Sequence, residues 1–139
     1  MAEIKIREAE DIVKQADELG KKFSRQVKTH QLRNFYSGIT QIRQDWKLHK
    51  DAQSVSSKLV MLQPKLAYAA GRQSSIKEFV SEISREIIAT RSNIKTLSQE
   101  MSDSPQSREA LMKKQQEVID NFFALIEGIV AYHKFYGGE

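Results

Sequence analysis

The chain has 139 residues, no cysteine, two prolines and six glycines: that length fits one domain around one core, and the missing cysteines exclude disulfides, thiolate metal sites and cysteine nucleophiles. Its 22 Lys/Arg against 18 Asp/Glu give a net +4. The charge is polarised, because residues 21–75 hold eleven of the cations and two carboxylates, Asp45 and Asp51, a block of +9; a one-signed stretch of this kind attracts a polyanion.

Abundant Lys, Glu, Gln, Ala, Leu and Ile favour helix by summed propensity, so the expected class is all-α, a compact single-domain bundle of about five helices over residues 1–139. Met1-Ala2-Glu3-Ile4-Lys5 carries no signal-type apolar region, and no apolar run approaches the ~18 residues that span a bilayer. A cytoplasmic protein with no membrane association is expected. The first segment sets Ile6, Ala9, Ile12, Val13, Ala16 and Leu19 at three-and-four spacing, an amphipathic helix that Gly20 is expected to close with a left-handed turn. Its acids, Glu3, Glu8, Glu10, Asp11, Asp17 and Glu18, read as the solvated side. Periodicity fades over residues 21–28, where Phe23 and Val27 anchor either a loop or a continuation of the first helix.

Thr29 is the expected N-cap of a second helix carrying Leu32, Phe35, Tyr36, Ile39, Ile42 and Trp46 inward. A third runs from about Ala52 to Arg72 with Val55, Leu59, Leu62, Leu66 and Ala69 inward, and Pro64 is expected to kink it or start a new turn. Lys58, Lys65 and Arg72 fall seven apart on that helix. Seven residues return to nearly the same face, so the three cations form a stripe about 20 Å long, a geometry that follows a polyanion. Ser74 or Ser75 is expected to cap a fourth helix, with Glu78 as a capping-box acid and Ile76, Phe79, Val80, Ile83, Ile87, Ile94 and Leu97 inward. A polar loop over 98–104 precedes Pro105, the expected first-turn proline of a last helix. Leu111, Val118, Ile119, Phe122, Ile126, Ile129, Val130 and His133 mark its core face, and Gly137-Gly138 ends it.

Catalytic constellations are missing. His30, His49 and His133 form no paired ligand motif on one helix, so no metal is expected; His133 reads as a hydrogen-bonded packing residue, and His30 and His49 as exposed helix-end residues. No phosphate-cradling glycine loop or nucleophile elbow occurs, so neither an enzyme nor a cofactor is expected. Glu127 lies among Phe123, Ile126 and Val130, where a bare carboxylate is costly, so it needs a cationic partner or partial exposure. Arg72 is one candidate for that partner and equally one for a phosphate contact. Tyr36, Tyr68, Tyr132 and Tyr136 read as packing residues with the hydroxyl at the edge, and no cluster of exposed aromatics for base stacking is expected.

Three stretches together resemble the small all-helical subunit of type III-A (Csm-type) CRISPR effector complexes over residues 29–139. The segment Glu127-Gly128-Ile129-Val130-Ala131-Tyr132-His133-Lys134-Phe135-Tyr136 is similar to that family's Glu-Ala-Leu-Val-Ala-Tyr-x-Lys-(Phe/Tyr)-Tyr ending. Tyr68-Ala69-Ala70-Gly71-Arg72 is similar to its Tyr-x-x-Gly-Arg helix end, and Thr29-His30-Gln31-Leu32-Arg33 to its Thr-Ser-Gln-Ile-Arg helix start. The resemblance implies several copies stacked as a ribbon along the guide RNA and target RNA duplex, beside the other subunits of the complex, supporting the duplex without cutting it. Arg33, Arg72 and Lys134 are the cations that match the family motifs. With the charge block, the expected phosphate-facing set is Arg33, Arg43, Lys47, Lys50, Lys58, Lys65 and Arg72, and Lys134 joins it as an RNA-binding residue. The rival reading is a protein-docking bundle whose basic face meets acidic partners.

Overall fold

The computed structural model describes residues 6–101 and 105–139, and within them helices joined by short turns account for the chain, without a strand. Five helices follow in order: α1 Ala9–Phe23, α2 Thr29–His49, α3 Ala52–Arg72, α4 Lys77–Glu100 and α5 Pro105–Phe135, with a 3-10 turn at Ser74–Ile76 leading into α4. α1 lies along α5; α3 packs between α2 and α4; α4 lies along α5. The apolar stripes meet in one core built on Phe23, Leu59, Ile83, Ile87, Ile119, Phe122 and Ile126. All seven residues expected inward on the fourth helix are buried.

Several helix ends differ from expectation for physical reasons. Gly20 does not end α1. The helix runs three residues further to Phe23, because Gly20 is where α1 crosses α5: a Cβ there would meet the backbone nitrogen of His133 at 2.9 Å and the carbonyl carbon of Tyr132 at 3.0 Å. The glycine allows two helix backbones to approach, and a matching approach sets Gly128 against the Ala16 methyl. Continuing α1 also delivers Phe23 edge-on to Phe79, with centroids 5.2 Å apart. Val13 faces solvent on α1, outside the buried stripe of Ile12 and Ala16.

Thr29 is the first helical residue of α2, after Lys28, and its hydroxyl donates to the Gly138 carbonyl at 3.1 Å, tying the start of α2 to the end of the chain. The amide of Lys28 is satisfied by the Gln31 side chain at 2.9 Å. α3 passes through Pro64 as one helix; its N-terminus is capped by Asp51, whose carboxylate accepts from the amides of Gln53 and Ser54. Ser74 and Ser75 do not cap α4: both lie in the 3-10 turn, which makes no side-chain cap bond, and Glu78 faces Lys22 instead. α4 continues past Ser98 to Glu100, where a loop was expected. Residues 102–104 of that expected loop, and the Met1–Lys5 segment with Glu3, lie outside the described residues. None of the described helices is long and apolar enough to cross a membrane.

Candidate nucleic-acid interface

α2 and α3 are adjacent, and between the first half of α2 and the last half of α3 they leave a groove of about 510 Å³. Phe35, Leu62, Leu66, Ile76 and Phe79 form its apolar floor, and His30, Lys65, Tyr68 and Arg72 stand on its rim. Pairing of the Gln31 and Gln73 side chains closes one end. Two members of the expected stripe, Lys65 and Arg72, therefore meet in one place. Seven residues of helix bring them back to nearly the same azimuth, which is what the heptad spacing required. Tyr68 is exposed there, contrary to the packing role expected of it, because it lies on the outer face of α3 between those cations. The Arg72 guanidinium sits 5.9 Å from the centre of its ring.

The third stripe residue behaves differently. Lys58 pairs with Asp45 across α2 and α3, and that hydrogen bond and charge hold the Asp45 carboxyl below its ordinary range. Arg43 is also engaged, with Glu127 of α5, and the Tyr36 hydroxyl donates to the same carboxylate at 3.4 Å. Glu127 thus has the cationic partner its surroundings demanded, but the partner is Arg43, and Arg72 is not among its contacts. The reason is topological: α2 touches α5 directly, while the C-terminal turn of α3 opens onto the groove.

The remaining expected cations are exposed and take no part in the ion pairs among the described residues. Arg33 lies on the outer side of α2 one turn in, beyond the groove lining. Lys47 stands in the last turn of α2. Lys50 ends that helix in the left-handed conformation, φ +50°, with its ammonium 4.8 Å above the Trp46 ring, whose Nε1–H donates to Asp120 at 2.8 Å. Lys134 is on the last turn of α5, where a cation is favoured by the helix dipole.

Two further features shape the surface. His133 is buried and its Nε2 lies 2.6 Å from the Val27 carbonyl, the packing role expected of it; His30 and His49 are exposed. Tyr132, Phe135 and Tyr136 form an aromatic cluster at the end of α5, with Phe135 73% exposed and the Tyr136 hydroxyl hydrogen-bonded to Asp17. That bond raises the Tyr136 pKa. The expectation that no exposed aromatic cluster exists is therefore corrected at Phe135, which projects into solvent, while Tyr136 beside it is held against α1 by Asp17 and Lys21. Among the described residues, no three His, Cys, Asp or Glu side chains converge as a metal site.

A family model described as Csm2 Type III-A matches residues 7–139, essentially the whole chain. No curated protein sequence and no solved structure gives a significant match.

Proposed function

The chain belongs to the Csm2 Type III-A family, a type III-A CRISPR effector subunit family, and we propose that within that complex it is a non-catalytic scaffold in antiviral defence, lying along the guide RNA and target RNA duplex through a cationic surface on α2 and α3. The observation that carries this reading is the joint exposure of Lys65 and Arg72 on the rim of one groove, on a helix that contains no carboxylate at all. Arg33, Lys47 and Lys50 extend the set along α2. Cations on helix faces neutralise phosphates and release counterions, a sequence-independent interaction that leaves the reading of bases to guide–target pairing. Arg43 and Lys58 play a supporting part in this scheme, since each already neutralises an acid on a neighbouring helix. Cleavage falls to other subunits. Self-association of copies and contact with neighbouring subunits complete the proposed assembly, in the cytoplasm.

The test is binding of the purified protein to a guide–target RNA duplex across a salt series. Combining Arg33→Glu, Lys65→Glu and Arg72→Glu removes three phosphate contacts, and each should flatten the log–log slope by about 0.7 to 0.9. Unchanged affinity and slope in the triple variant would remove the proposal. Co-purification with other subunits that survives nuclease treatment, with no RNA binding by the free chain, would support the protein-docking reading instead.

A further inference from the structure

On the opposite flank of α3 a second groove, about 630 Å³, separates its first half from the last half of α4. Its polar lining comes from Gln53 and Ser56 of α3 and from Arg91, Ser92, Lys95 and Ser98 of α4, and it includes no carboxylate. The absence is written in the sequence on both sides: residues 52–72 and 87–99 contain no acid, whereas Glu78, Glu82 and Glu86 crowd the first half of α4. Those three acids pair with Lys22, Arg85 and Arg7. Arg91 and Lys95 join none of the ion pairs among the described residues.

Arg91 is fixed in place. Its Nε–H donates to the Ser56 carbonyl at 3.1 Å and lies 3.2 Å from the Ser56 hydroxyl, and neither terminal nitrogen of the guanidinium makes a hydrogen bond within the described residues. Lys95 follows one helical turn later on the same face. Two like charges at that spacing repel, and no ion pair among the described residues offsets them. Ser98 adds a donor: its oxygen accepts from Gln115 at 2.8 Å and from Gln53 at 3.3 Å, which turns its own proton away from both amides. A planar guanidinium fork, an ammonium and a hydroxyl donor around one carboxylate-free groove make an arrangement that suits a phosphate. Ile88, 56% exposed on the same lining, offers apolar contact to a sugar edge.

We propose that this α3–α4 groove is a second phosphate-binding site, taking the backbone of an RNA strand through Arg91, Lys95 and Ser98. The site rests on the reading of the protein as an RNA scaffold for the identity of its polyanion. Its chemistry stands on the groove alone. Ser56 and Tyr68 are twelve helical residues apart, so the two grooves share α3 as a common wall with centres offset by about 18 Å along its axis.

The experiment uses the whole chain and two variants, Lys95→Gln and Arg91→Lys/Lys95→Gln, each shown to be folded by circular dichroism. Lys95 is exposed and makes no side-chain bond among the described residues, so the single variant reports on the site even if replacing Arg91 loosens its hold on Ser56. In the RNA salt series, Lys95→Gln should flatten the slope by about 0.7 to 0.9 and leave the effect of Arg33→Glu, Lys65→Glu and Arg72→Glu unchanged; the double variant should lower affinity further. Wild-type slope and affinity in both variants would overturn the site while leaving the scaffold reading intact. Should the wild-type chain bind no RNA, the scaffold reading fails, and inorganic phosphate followed by amide chemical shifts decides the groove: saturable shifts at Ser92–Gln99 that vanish in Lys95→Gln sustain a phosphate site, and their absence overturns it.

Discussion

Replacing Gly20 by alanine tests the closest contact in the fold. An added Cβ must occupy space 2.9 Å from the His133 nitrogen and 3.0 Å from the Tyr132 carbonyl carbon, with the Tyr132 Cβ closer still. Two of these three are main-chain atoms of α5, which no rotamer change can move, so the helices must part along their crossing. Overpacking of this kind costs about 1–3 kcal/mol. The intrinsic preference of a helix interior for alanine returns up to about 1 kcal/mol. The net expectation is a loss, read as a lower urea midpoint with an unchanged slope. Gly71→Ala is the control: no atom outside its own helix lies within 4 Å of a Cβ at Gly71. The same propensity gain is therefore unopposed, and that variant should be as stable as wild type or more so. Gly128→Ala meets the Ala16 methyl at 2.6 Å on the same crossing. Once α1 has been pushed off α5 by one substitution, the second finds room, so the double variant should cost less than the two single losses added together. A Gly20→Ala protein as stable as wild type would refute the close crossing.

His133→Phe keeps an aromatic ring but leaves the buried Val27 carbonyl without its 2.6 Å partner, and should cost about 1–3 kcal/mol in urea unfolding; an unchanged midpoint would show that the bond contributes nothing. Lys58 and Lys22 hold the Asp45 and Glu78 carboxyls below their unfolded values. The folded state therefore gains from both pairs above the ordinary carboxylate range near about pH 4, and loses that gain as pH falls through the depressed values. Urea midpoints measured between neutral and acidic pH should decline less for Asp45→Asn/Glu78→Gln than for wild type, and parallel curves would contradict the two pairings.

The five helices and their inward faces were legible because one-dimensional periodicity reports burial directly: α3 begins and ends at the expected Ala52 and Arg72, and the seven expected apolar positions from Ile76 to Leu97 are all buried. What periodicity cannot carry is which helix lies opposite. Gly20 looked like a stop signal because a helix end and a close helix crossing place the same demand, a missing side chain. The partner of Glu127 was left open, with Arg72 as one candidate, for the same reason; it is Arg43, since α2, and not the end of α3, passes beside it. Arg91 and Lys95 went unnoticed because charge was summed along the chain; only the packing of α3 on α4 shows that, among the described residues, no acid lines their groove. One signal for that groove was available, the carboxylate-free stretches at 52–72 and 87–99, and it becomes meaningful once the two are known to be neighbours.

The lengthwise pairing of α1 with α5 governs how the molecule comes into being. Ala16 leaves the ribosome roughly 110 residues ahead of Gly128, the α5 residue that packs against its methyl, and Gly20 is separated from Tyr132 in the same way. At translation rates of about 5–20 residues per second, that interval is roughly 5–20 seconds. A nascent chain therefore carries the apolar ridge of α1 uncovered through that interval, and a holdase that binds short apolar helices has its opportunity there.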